Sequence, residues 1–160
     1  MAYDERGRVY VRGNDTTLEV TPTLDTGAYT SADLLFACKE IPNAVLMNGD
    51  TLLLMSIDVI DGDAMGLPMD LHFFSGSVNA GTANGACILT SALALKHLGY
   101  VSVGTADFAT LGSAKVATVP QVGLQLTVDS DSKSLWMVGV TGGTPTHTAA
   151  GLQFNLGVIR

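Results

Sequence analysis

Charge is what this chain has least of. Only 14% of its 160 residues are Asp, Glu, Lys or Arg, where about a quarter is usual. A disordered chain needs high charge and low hydrophobicity, so the shortage excludes disorder. Positive charge is scarcest: eight Lys and Arg stand against fifteen Asp and Glu, for a net charge of −7. Three of the cations, Arg6, Arg8 and Arg12, crowd the first twelve residues, while Lys39, Lys96, Lys115 and Lys133 are far apart. No basic stripe can be assembled from them, so neither nucleic acid nor an anionic membrane surface is an expected partner.

Cysteine is limited to Cys38 and Cys87. They form no CxxC pair, so spacing gives no zinc motif, and both are expected to be reduced and buried. Long apolar runs are missing as well. Residues 71–95 and 134–159 are free of charge, and each exceeds the ~20 residues of a membrane span. Both are interrupted by Gly, Ser, Thr, Asn and His, which reads as sheet and loop. Such uncharged stretches are expected to supply the surfaces through which the protein meets its own copies or a partner. The opening residues, Met-Ala-Tyr-Asp-Glu-Arg-Gly-Arg, contain no apolar h-region, so no signal peptide and synthesis in a cytosol are expected.

What is present is alternation. Met55–Val59, Leu67–Phe73, Val122–Val128 and Gly151–Val158 each place apolar residues at every second position, the mark of a strand with one covered face. Further strands are expected at 8–12, 17–20, 34–38, 44–47, 101–103, 115–119 and 135–140. Turn clusters such as Asp25-Thr26-Gly27, Asn48-Gly49-Asp50 and Asp61-Gly62-Asp63 separate them. Many short strands at this spacing predict an all-β antiparallel sandwich, jelly-roll-like. One short helix is expected to be inserted near residues 90–98, capped by Thr90 and stopped by Gly99, with a single turn at 105–108. The predicted layout is an N-terminal arm or edge strand over 1–14 and one sandwich domain over 15–160.

Sites of chemistry are few. Asp58, Asp61, Asp63 and Asp70 make the one carboxylate cluster, and the first three are the candidate metal ligands. Their spacing does not match a calcium loop, and Asp61-Gly62 reads more simply as a tight turn with Gly at positive φ. No metal or cofactor is therefore expected. His72 shares a strand face with Asp70, but no GxSxG elbow supplies a nucleophile, so a cross-strand polar pair is expected rather than catalysis. His147 reads as a loop residue. The Gly-rich run 75–85 lacks the Lys-Ser/Thr of a phosphate loop and reads as a flexible surface loop, or a contact loop in an assembly. Trp136 lies in an apolar strand, as core or interface. Arg6, Arg8 and Arg12 interleave with Val9, Tyr10 and Val11. That segment is either a frayed edge strand or an arm that adds to a neighbouring subunit's sheet.

Several motifs carry a resemblance. Thr21-Pro22-Thr23-Leu24-Asp25-Thr26 with Tyr29, Glu40-Ile41-Pro42-Asn43-Ala44, Met69 to Phe74, Leu98 to Val103, Leu135 to Val138 and Thr144-Pro145-Thr146 together resemble small structural proteins of tailed bacteriophages, especially marine ones. The resemblance spans roughly residues 16–158 and implies a virion structural protein with no enzymatic site. The specific role expected is a capsid decoration (cement) protein on the particle surface. It would bind its own copies, with a homotrimer favoured, and the major capsid protein. A tail, neck or fibre protein and a carbohydrate-binding sandwich for host attachment are the alternatives.

Overall fold

The computed structural model describes residues 15–160, together with the backbone of two short strands, β1 (Ala2–Tyr3) and β2 (Val9–Tyr10), which pair with each other. The remaining strands are β3 (Asp15–Val20), β4 (Leu34–Ile41), β5 (Thr51–Asp61), β6 (Met69–Phe74), β7 (His97–Val103), β8 (Phe108–Leu111), β9 (Ala114–Val119), β10 (Leu124–Thr127), β11 (Leu135–Thr141) and β12 (Leu152–Ile159). One sheet runs β3-β12-β5-β9-β8, with β10 also on β5; the other runs β4-β11-β6-β7. Every pairing is antiparallel.

Setting aside the β8–β9 hairpin leaves eight strands from β3 to β12. The first, eighth, third and sixth form one sheet, and the second, seventh, fourth and fifth form the other. This is the strand order of a jelly roll, two Greek keys folded into a sandwich. The expected all-β sandwich is therefore present. The extra hairpin is inserted between the fifth and sixth strands, and it shares an edge of the long β5 with β10: β9 pairs Ile57–Asp61 and β10 pairs Thr51–Leu54.

Alternation explains the main core. Leu52, Leu54, Ile57 and Val59 of β5 and Leu152, Phe154, Leu156 and Val158 of β12 point inward, against Phe36, Leu71, Phe73, Leu135 and Met137 of the other sheet. Phe36 tilts against Phe154 with ring centroids 5.8 Å apart. The β4–β11 register shifts at Gly139, opposite Phe36, and a Cβ on Gly139 would lie 2.5 Å from Phe36 Cε1. Glycine is needed there because the phenyl ring occupies the space.

Four expectations about local structure need correction. Residues 44–47 are not a strand: after Pro42 and Asn43 (φ 53°), Ala44 and Val45 are both buried while Leu46 and Met47 are both exposed. Two-in, two-out is not the alternation a strand requires. The helix spans only Ser91–Ala94. Thr90 caps it as expected, with Oγ1 accepting from Leu93 N, but His97 and Leu98 belong to β7 because His97 pairs with Phe74. Positive φ in the turn after Asp61 falls on Ala64 and Gly66, not on Gly62. Cys87 is exposed and Cys38 half-buried; both thiols are free.

The largest correction concerns the Gly-rich run. Residues 75–96 fold over the outer face of the four-stranded sheet and build a second core there. Val78 and Ala80 are buried against Leu34, Phe74 and Val138, with Leu89, Leu93 and Trp136 packed around them. The cover is tied by Asn84 N to Leu34 O, Leu34 N to Gly85 O and Ile88 N to Ala80 O, each 2.8 Å. Asp129 clamps its two ends, accepting from Ser75 Oγ at 2.5 Å and from Lys96 Nζ at 3.2 Å. The Ser75 hydrogen bond chiefly, with help from Lys96, holds the Asp129 carboxyl below its ordinary value against a smaller opposing effect of burial.

The same geometry revises the charge-free stretches. Most of 134–159 is β11 and β12, each central in its sheet, so the missing charge there reflects burial within the domain. Residues 71–95 are likewise partly spent on the second core. Yet that stretch also leaves Ile88 (61%) and Leu95 (88%) in water.

Candidate functional site

Two polar assemblies sit at opposite kinds of place. The first is a staple between the β5–β6 and β11–β12 loops. Asp61 is buried, and its carboxylate accepts from Asp63 N (3.1 Å) and Gly66 N (2.7 Å), so the expected tight turn is built by the side chain. Asp63 reaches across to accept from Thr148 N (2.7 Å), Thr148 Oγ1 (3.0 Å) and His147 Nδ1 (3.3 Å). Burial alone would raise the Asp63 carboxyl, but these donors and the imidazole together hold it below the ordinary value. His147 is only 4% exposed and lies edge-on to Tyr29, whose hydroxyl donates to Leu35 O at 2.9 Å.

One ligand atom each from Asp61, Asp63 and His147 fall within 4.8 Å of one another. The structure thus brings Asp61 and Asp63 together and adds His147, which the sequence places 84 residues from Asp63. Their oxygens already receive backbone, hydroxyl and imidazole donors, so the group works as a tie between loops. Asp58 is elsewhere: on the outer face of the larger sheet it accepts from Thr118 Oγ1 at 2.7 Å.

The second assembly lies on the outer face of the four-stranded sheet, beside the cover. His72 of β6 does not pair with Asp70, which accepts instead from Ser102 Oγ. Its Nδ1 lies 3.1 Å from Nε2 of His97 on neighbouring β7. The Tyr100 ring stacks on His72 (5.3 Å, 21°), and Phe74 meets His97 edge-on (5.3 Å). Both histidines line a pocket of about 100 Å³ with Phe74, Ala80, Cys87, Leu89, Val138 and Val140. Burial foremost, then the neighbouring His97, pushes the His72 imidazole below its ordinary value, against a smaller pull from Asp70. The cross-strand polar pair expected at His72 is therefore present, with His97 as its partner.

Trp136 is half-buried and packs against the second core. Of the expected arm, Arg6, Arg8, Val11 and Arg12 lie outside the described residues. Val9 and Tyr10 are described by backbone pairing to Tyr3 and Ala2 alone. The chain matches no family model and no curated protein. No helix among the described residues is long and apolar enough to cross a membrane.

Proposed function

We propose that this protein is a non-enzymatic structural protein of a virion, a capsid decoration protein that binds the outer shell as a small closed oligomer and stabilises it. The observation that carries this reading is the apolar fringe of the four-stranded sheet. Ile88, Leu95 and Tyr100 are all exposed, and they belong to β7 and the segment that covers that sheet. Large apolar side chains left in water are suited to burial against a partner, and Leu95, at 88% exposed, is the most open of those in this domain. The low charge of residues 71–95 removes the desolvation cost that such a contact would otherwise carry. The jelly roll is compatible with shell proteins and lectins alike, so fold supports the reading only by analogy. The packing of Trp136 against the second core weighs against a sugar platform built on that residue.

The test uses particles stripped of the protein. Purified chain added back should sediment with the shells to saturation and raise their resistance to heat. Ile88→Asp and Leu95→Asp, both at exposed positions, should each weaken that binding about tenfold, the effect of roughly 1.4 kcal/mol. No binding to shells, or binding confined to tails, would overturn the reading.

A further inference from the structure

We propose that residues 8–12 of a second copy of this chain add as a strand to the free edge of β3, so that copies are joined by exchanged N-terminal segments. The exchange rests on the closed oligomer of the decoration role and needs no shell. β3 ends the larger sheet, and among the described residues it pairs with β12 alone. Its outward positions, Asp15, Thr17 and Glu19, are all exposed, while Leu18 turns toward the core and is only partly buried. An end strand of this kind presents a row of backbone donors and acceptors that another chain can pair with.

The segment matches that edge position by position. Arg8-Val9-Tyr10-Val11-Arg12 has a period of two, as does Asp15-Thr16-Thr17-Leu18-Glu19. Set antiparallel, as every described pairing in this sheet is, the register puts Arg12 opposite Asp15, Tyr10 opposite Thr17 and Arg8 opposite Glu19. These are the outer-face positions. Val11 and Val9 then fall opposite Thr16 and Leu18, at the positions beside the core. Opposite charges directly across two strands stabilise a sheet, and here they stand at both ends of the added strand. A slip of one residue would turn both Arg positions toward the core and both Val positions to water. A slip of two leaves at most one Arg opposite a carboxylate.

The face behind the edge complements the segment in charge and shape. Cross-strand rows run from Asp15 through Ile159 to Leu53, from Thr17 through Gly157 to Ser56, and from Glu19 through Asn155 to Asp58. They hold three carboxylates and no cation, whereas residues 6–12 supply three Arg and no carboxylate. The missing side chain at Gly157 leaves a groove of about 420 Å³ bordered by Thr17, Met55 and Ile159. A tyrosine opposite Thr17 is long enough to reach into it, with its hydroxyl toward water. The end strand of the other sheet, β4, is the poorer acceptor, because Leu34 N and O already bond Gly85 O and Asn84 N of the cover. Within one chain, Val9 and Tyr10 pair with Tyr3 and Ala2 in a sheet of their own, which leaves the β3 edge to a second copy.

The experiment measures full-length protein, alone, by sedimentation velocity across micromolar concentrations. A closed oligomer is expected. Arg8→Glu with Arg12→Glu should weaken association at least about tenfold, and so should Asp15→Arg with Glu19→Arg, because either set opposes like charges across the ladder. All four changes in one chain should restore the parent mass. Circular dichroism establishes that each variant is folded, and Asp15→Arg with Glu19→Arg, at exposed positions, decides alone if the other pair is not. A parent protein that stays monomeric, including one whose residues 8–12 close on their own β3, overturns the proposal. So does an oligomer that neither reversal weakens, or that the four changes together fail to restore. Shell binding is read separately, on stripped particles and through Ile88 and Leu95, so failure of this contact and failure of the decoration role give different results.

Discussion

Replacing Val78 by Ala asks whether the cover over the four-stranded sheet is structure or ornament. Val78 is 5% exposed and sits among Leu34, Phe74, Ala80 and Val138. Removing its two methyl groups forfeits about 1.6 kcal/mol of transfer free energy at ~0.8 kcal/mol per group. The cavity left behind brings the total to about 2–3 kcal/mol. For a domain of this size each kcal/mol lowers Tm by roughly 2–4 °C, so a fall of about 4–12 °C is expected in a calorimetric or circular-dichroism melt. If the cover opens ahead of the sandwich, the same loss reads out as faster amide exchange at Asn84 and Ile88, whose N–H groups bond Leu34 O and Ala80 O. A free surface loop predicts a change within about 0.5 kcal/mol. An unchanged melt, together with unprotected Asn84 and Ile88 amides in the parent protein, would refute the second core.

Three further outcomes are expected. Gly139→Ala drives a methyl group into the Phe36 ring and should destabilise by about 1–3 kcal/mol in urea melts, with Phe36→Leu partly rescuing it. Asp63→Asn removes acceptors from Thr148 and His147 and should cost about 1–3 kcal/mol near neutrality. Because the folded Asp63 carboxyl titrates below its unfolded value, its contribution is full above the unfolded value of 3.8 and is lost as pH falls through the lower, folded value. The variant should therefore show a flatter loss of stability in acid, measured by urea midpoints below about pH 4. Finally, an exposed Cys87 should react with a maleimide in the native state well before Cys38, whose thiol burial pushes up, and urea should remove the difference.

The sandwich was legible because most of its strands have two unlike faces: Leu152, Phe154, Leu156 and Val158 alternate with Gln153, Asn155 and Gly157 as water and core demand. Strand order was not, since alternation says which face is inward and nothing about which strand lies beside it. The cover is hidden in the sequence because glycine and small polar residues surround the few apolar ones, Val78 and Ala80, that anchor it. A signal did exist: Leu135-Trp136-Met137-Val138 is apolar on both faces, which calls for a covering layer on each side of the sheet. Asp61 and Asp63 were visible as a cluster, whereas His147 was not, because only the meeting of two distant loops gives it a partner. Alternation predicts that His72 meets a polar partner across strands but not which one, because the partner, His97, lies on a neighbouring strand whose place beside β6 is not encoded in the pattern.

The hairpin of β8 and β9 has a bearing on how the molecule could be used. It is an addition to an eight-strand plan, and its tip, Leu111-Gly112-Ser113, projects away from the body: Leu111 is exposed and a Cβ on Gly112 would meet nothing within 4 Å. The tip lies outside the two polar assemblies and the apolar fringe, so a foreign peptide spliced there would lengthen a turn and leave the β5–β9 ladder intact. If the protein coats a particle, that turn is a mounting point for display, one per copy, whose cargo changes without redesigning the coat.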